Sequence, residues 1–194
     1  MTPDLSGIGG LTPRERERLE RTLAALPDDV ASGLEIGFYD LRVTDSLRAR
    51  MDLVSIDLPR PVRDHEGRRL AFADIGKLPF RDRVFDIVIC TEVLEHLEEE
   101  ALARGVRELQ RVSRRYILVS VPYQQRVWNE MFKCAECGHV CNSMGHVNYL
   151  DDTSLVRMFN RAVPLRTELM SELGGYAPDW LYRGASRFGN AWCP

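Results

Sequence analysis

The chain has 194 residues, a formal net charge of −3, 44% hydrophobic residues and 28% charged residues. That length suits one α/β domain with a real core and is short for two domains. No apolar run approaches the ~20 residues a bilayer span needs, the acidic balance gives nucleic acid no general attraction, and no basic stretch leads into an apolar one at the N-terminus. The expectation is a cytoplasmic protein without membrane or nucleic-acid partners.

In chain order, Thr12-Pro13-Arg14-Glu15 reads as a helix start, with Thr12 as N-cap, Pro13 in the first helical position and Glu15 closing a capping box. Leu19, Leu23 and Leu26 form its apolar face. Short apolar runs follow at Leu34–Gly37, Leu53–Leu58, Leu70–Ala73, Phe85–Cys90 and Tyr116–Val121, the pattern of buried parallel strands. Between them Leu41–Arg50 and Glu92–Val112 have helical spacing, the second burying Leu94, Leu102, Val106 and Leu109. The connection after Leu58 holds Pro59, Pro61 and Gly67 and predicts a loop. A last helix is expected over 151–162, and Leu165–Leu173 with Arg187–Trp192 as a terminal antiparallel hairpin.

Alternating strands and helices predict an α/β fold with a doubly wound, mostly parallel Rossmann-like sheet. Within one domain, 1–29 would be an N-terminal helix, 30–122 the cofactor-binding core, 123–150 an insertion and 151–194 a C-terminal helix and hairpin.

In such sheets ligands bind beyond the carboxyl ends of the strands, near the switch point. Glu35, Gly37 and Phe38 close the first strand, Asp57 the second, Asp74 and Ile75 follow the third, and Thr91 and Glu92 the fourth. An ionised carboxylate only accepts hydrogen bonds, so Asp57 suits two ribose hydroxyls and Asp74 an amino group. Ile75 offers an apolar face to a ring, and Gly37 lets the backbone approach the ligand.

LEIGFYDLRVTDSL, VSIDLP, FADIGKLPFRDRVFDIVICTEVLEHL and RYILVSVPY resemble, in order and spacing, the class I S-adenosylmethionine-dependent methyltransferases, of the type 11 kind. The resemblance covers roughly residues 33–122. It implies S-adenosylmethionine as cofactor, held by Glu35, Gly37, Phe38, Asp57, Asp74, Ile75 and Thr91, and a small-molecule acceptor, with O-methylation the expected reaction. The family usually has two further glycines in the first loop, where this chain has Tyr39 and Leu41. The alternative is a catalytically silent methyltransferase fold acting as a binding or regulatory protein.

Glu92, Glu95 and His96 are spaced i, i+3, i+4, which puts them on one face if the segment is helical. Glu-Val-x-Glu-His here also resembles ubiquinone-pathway and small-RNA O-methyltransferases, which implies a catalytic cluster with Mg²⁺ beside the acceptor hydroxyl, or His96 alone as general base.

Three of five cysteines crowd into Cys134-Ala135-Glu136-Cys137-Gly138-His139-Val140-Cys141, with His146 close behind. Such a Cys-x2-Cys-Gly knuckle predicts structural Zn²⁺ held by Cys134, Cys137, Cys141 and His146, with His139 as the lesser candidate. Methyltransferases with an insertion after the fifth strand look similar, and Gly145-His146 and Tyr149 match their pattern. The acceptor would be bound by variable segments, with Tyr123, Trp128, Phe132, Tyr149, Trp180 and Tyr182 as candidate lining.

Overall fold

The computed structural model describes residues 11–38, 41–58, 67–124 and 127–166. Helix α1 (Pro13–Ala24) starts as the sequence predicts: Glu15 N–H donates to Thr12 Oγ1 at 3.3 Å, and Thr12 N–H donates to Glu15 Oε2 at 2.7 Å. Strands β1 (Ser32–Ile36), β2 (Asp52–Asp57), β3 (Leu70–Phe72), β4 (Phe85–Thr91) and β5 (Ser113–Ser120) form one sheet in the order β3-β2-β1-β4-β5. Every pairing in it is parallel. From β1 the chain adds β2 and β3 on one side and then β4 and β5 on the other, so the strand order reverses between β1 and β4, and this is the switch point.

The period-2 alternation of the strands divides the core between two faces. Leu34, Ile36, Val88 and Cys90 point into a cluster with Leu102, Val106 and Leu109 of helix α3 (Glu99–Val112). Leu53, Ile87 and Ile89 point the other way, onto Leu19 and Leu23 of α1 and Leu47 of helix α2 (Leu41–Arg48). At the foot of the sheet the Asp86 carboxylate accepts from Ala31 N–H, Ser32 N–H and Ser32 Oγ at 3.0–3.1 Å and from the Arg114 guanidinium, pinning β1, β4 and β5 together. Arg114 beside Asp86 and the backbone donors hold that carboxyl well below its ordinary pKa.

One element differs from expectation. Glu92–Val112 is not a continuous helix: Glu92 has φ +56°, a 3₁₀ turn covers Leu94–His96, and α3 begins at Glu99. The cause is competition for carbonyls. Leu94 O, Glu95 O and Leu97 O accept hydrogen bonds from residues 147 and 148, so they are engaged outside the segment instead of in an α-helical ladder.

After β5 the chain returns to the core through a closed neck, where Tyr123 bridges to Leu150 and Gln124 N–H donates to Leu150 O at 2.8 Å. Inside it, strands β6 (Met131–Lys133) and β7 (Val140–Asn142) make a small antiparallel hairpin. Helix α4 (Asp152–Met158) follows, capped by Asp151 and Ser154 and shorter than the 151–162 expected. The expected terminal hairpin extends outside the described residues. No helix among the described residues is long and apolar enough to cross a membrane.

Candidate functional site

The predicted cofactor residues fall along the carboxyl edge of the sheet. Gly37 leaves β1 at φ +82°, a left-handed conformation that favours glycine, and its N–H donates to Ile56 O at 2.8 Å. A Cβ there would lie 2.7 Å from Val93 Cγ2. Asp57 ends β2 half-buried, with Oδ1 accepting from Leu58 N–H at 2.8 Å. Asp74 is exposed, with Oδ1 accepting from Gly76 N–H at 2.7 Å, and Ile75 beside it is buried. Thr91 ends β4 half-buried.

The loop carrying Asp74 and Ile75 is fixed from α3. The Arg111 guanidinium donates to Leu78 O at 3.0 Å and Phe80 O at 2.7 Å, while Glu108 Oε2 accepts from Leu78 N–H at 2.8 Å. Gly105 lets α3 approach Ile75, whose side chain would stand 3.3 Å from a Cβ at that position.

Two of the predicted contact residues are placed inward. Phe38 is wholly buried, 6.1 Å between ring centroids from Phe72. Glu35 is 1% exposed, and its Oε2 accepts from Ser55 Oγ at 2.6 Å and Thr44 Oγ1 at 2.8 Å. Burial pushes its carboxyl up to about 7 against the opposing effect of the two hydroxyls. Of the substitutions for family glycines, Leu41 begins α2, and Tyr39 lies outside the described residues.

The Glu92, Glu95, His96 cluster is rearranged by the break at Glu92, so the three do not share a helical face. Glu92 accepts from Ser120 Oγ at 3.0 Å and pairs with Arg18 of α1 at 3.2 Å. Glu95 is 2% exposed, and neither carboxylate oxygen has a hydrogen-bond partner. Burial pushes it up to about 8, and the Glu92 charge adds to the shift. His96 is exposed and donates Nδ1–H to Gly145 O at 3.2 Å.

Next to these stands His146, expected with the cysteines. Its ring lies 4.7 Å from that of His96, edge to face, and burial, with His96 adding to it, lowers its pKa. Ligand-capable atoms of Glu95, His96 and His146 all lie within 4.8 Å of one another, and among the described residues no such group includes a cysteine. The segment carrying His146 is clipped to the 3₁₀ turn: Val147 N–H and Asn148 N–H donate to Glu95 O at 2.8 and 3.2 Å, and Asn148 Nδ2 donates to Leu94 O and Leu97 O at 3.0 and 2.6 Å. Sequence reasoning missed Arg18 and Asn148, since neither belongs to a local motif.

Cys134, Cys137 and Gly138 form the tip of the β6–β7 hairpin. Cys134 N–H donates to His139 O at 2.7 Å, Gly138 N–H donates to Cys134 O at 3.0 Å, and Gly138 has φ +73°.

Residues 34–116 match the family model described as a methyltransferase domain. Over this stretch, a little under half of its length, the chain is similar to a methyltransferase domain. The expected Rossmann-like methyltransferase fold agrees with this, and so does the expectation of an enzyme of that class. Among solved structures, a putative methyltransferase from Bacillus halodurans is similar, 17% identical, over 76% of this chain and 68% of that one, with a TM-score of 0.58. A SAM-dependent methyltransferase from Archaeoglobus fulgidus is 13% identical over 88% of this chain and 82% of its own, at 0.57. One from Methanosarcina mazei is 14% identical over 78% and 84%, at 0.53. At these identities the likeness is one of fold. No curated protein matches the chain significantly.

Proposed function

We propose that the methyltransferase domain binds S-adenosylmethionine at the carboxyl edge of its sheet and transfers the methyl group to an oxygen of a small-molecule acceptor. The observation that supports this best is the alignment of Gly37, Asp57, Asp74 and Ile75 at consecutive strand ends beside the β1–β4 switch point. These residues fit the cofactor. Asp57 accepts from the ribose, Asp74 from the adenine amino group, and Ile75 backs the ring.

S-Adenosylmethionine, when bound, supplies an electrophilic methyl on a sulfonium centre. An acceptor hydroxyl must lose its proton as its oxygen attacks. His96 is placed to take that proton, because the Nδ1–H bond to Gly145 O leaves the lone pair on Nε2. Glu92, held by Arg18, stands at the mouth of the site, and Glu95 is buried in the turn that carries His96. Trp128 and Tyr149, exposed and stacked with ring centroids 6.3 Å apart, offer an aromatic surface to the acceptor.

Structural zinc at the hairpin tip is a second, independent part of this reading. The turn at Gly138 sets Cys134 and Cys137 in the spacing of a knuckle, and Cys141 pairs with Phe132 on the adjoining strand. With His146 grouped elsewhere, His139 replaces it as the fourth ligand candidate.

Calorimetric titration of the folded protein with S-adenosylmethionine and with its demethylated product tests the cofactor assignment. Binding at one site is expected. No heat at millimolar cofactor would leave the silent-fold reading.

A further inference from the structure

We propose that Arg18 and Glu92 together hold the amino-acid end of S-adenosylmethionine, Arg18 its α-carboxylate and Glu92 its α-ammonium group. The proposal rests on the cofactor reading above and adds to it two side chains from outside the first loop.

The order of the strands directs that end of the ligand. Across the carboxyl edge the sheet runs β3-β2-β1-β4, with Asp74 after β3, Asp57 at the end of β2, Gly37 after β1 and Glu92 after β4. With the adenine at Asp74 and the ribose at Asp57, the rest of the cofactor extends past Gly37 toward Glu92. These two lie close together. A Cβ at Gly37 would stand 2.7 Å from Cγ2 of Val93, the residue that follows Glu92. Leu41, where the family usually has a glycine, begins α2. Its side chain removes the close backbone approach that a glycine permits there, so recognition of this end falls to other groups.

The charges match. An α-amino acid carries its cation and its anion on one carbon, and Arg18 Nη1 stands 3.2 Å from Glu92 Oε2, the two side chains 34% and 31% exposed. Glu92 is fixed from β5: Oε1 accepts from Ser120 Oγ at 3.0 Å and its N–H donates to Ser120 O at 2.9 Å, in a backbone conformation, φ +56°, that favours glycine. Arg18 is anchored by its neighbour Leu19, which is 2% exposed in the cluster that holds Ile87 and Ile89 of β4. A guanidinium has five N–H donors and each carboxylate oxygen two lone pairs, so both partners keep capacity for a ligand while the pair stays closed. An ion pair this exposed contributes little to stability. What it supplies is two opposite charges, held side by side at the switch point.

The test is calorimetric titration of the full chain with three adenosyl ligands. S-Adenosylhomocysteine carries both headgroup charges, decarboxylated S-adenosylmethionine lacks the carboxylate, and 5′-methylthioadenosine lacks the headgroup altogether. Arg18→Ala and Arg18→Met, which keeps the stem of the side chain, should weaken S-adenosylhomocysteine by about tenfold to a hundredfold, the loss expected for a charge-assisted hydrogen bond, and leave the other two ligands unchanged. Glu92→Gln should weaken the first two and spare the third. Arg21→Ala, which removes an ion pair one turn further along α1, should bind all three as the parent does. Circular dichroism checks folding. Equal loss of all three ligands in the folded Arg18 variants, or unchanged affinity for S-adenosylhomocysteine, would overturn the proposal while leaving the cofactor reading in place. No binding of any of the three to the parent would overturn both.

Discussion

His146 stands edge to face against His96, ring centroids 4.7 Å apart at 71°, in a contact made by two segments that no local motif joins. Asn148 holds those segments together through Leu94 O and Leu97 O. Asn148→Ala removes both bonds, Leu94 O keeping only that from Leu97 N–H, a loss of about 1–3 kcal/mol. Chemical denaturation measures it.

Gly37 couples the cofactor edge to that turn. Gly37→Ala combines a left-handed φ with a Cβ 2.7 Å from Val93 Cγ2, so Val93 must move, and with it the start of the turn. A loss of about 1–3 kcal/mol in stability is expected, together with weaker S-adenosylmethionine binding. Binding unchanged in a stable Gly37→Ala protein would place the cofactor elsewhere.

Asp57→Ala should weaken S-adenosylmethionine by about 1.5–3 kcal/mol, the range for hydrogen bonds to a charged partner. Because Asp57 is half-buried at a strand end, the fold should survive the change. Calorimetry on wild type and variant decides it.

Glu35 makes stability depend on pH. Its carboxyl is pushed up to about 7 by burial, against an ordinary 4.5. Between those values the folded chain holds a proton that the unfolded chain has released, so stability falls as pH rises through this window and is level above it. The loss is about 3 kcal/mol. In Glu35→Gln the amide oxygen still accepts from Ser55 and Thr44 but cannot ionise. Relative to wild type, it should therefore be more stable at pH 8 than at pH 4 by about that amount, measured by urea denaturation across the range. Parallel pH curves for the two proteins would contradict the ionisation.

One zinc per chain is expected by elemental analysis of protein purified without chelator or metal-binding tag, and Cys134→Ser/Cys137→Ser should lose it. Zinc retained in that pair but lost in His96→Ala would assign it to the histidine cluster instead.

Local pattern determined much of this protein. The apolar runs of β1, β2, β3, β4 and β5 state a buried parallel sheet, because strands covered on both faces have few polar positions. Thr12 and Glu15 state the start of α1, since a capping box is closed within four residues. Gly37, Asp57, Asp74 and Ile75 could be named because a parallel sheet brings successive strand ends to one edge. The inward placement of Glu35 could not, because it depends on Thr44 and Ser55 meeting across α2 and β2.

Only the tertiary structure decided the rest. Helical spacing put Glu92, Glu95 and His96 on one face, but the carbonyls that would continue that helix are taken by Val147 and Asn148. Glu92 therefore turns to Arg18 and Ser120, and His146 takes its place beside Glu95 and His96. Spacing near the cysteines favoured zinc for His146, and backbone hydrogen bonds between distant segments bring its ring against that of His96. Such bonds use groups that every residue carries, so they leave no mark on the sequence.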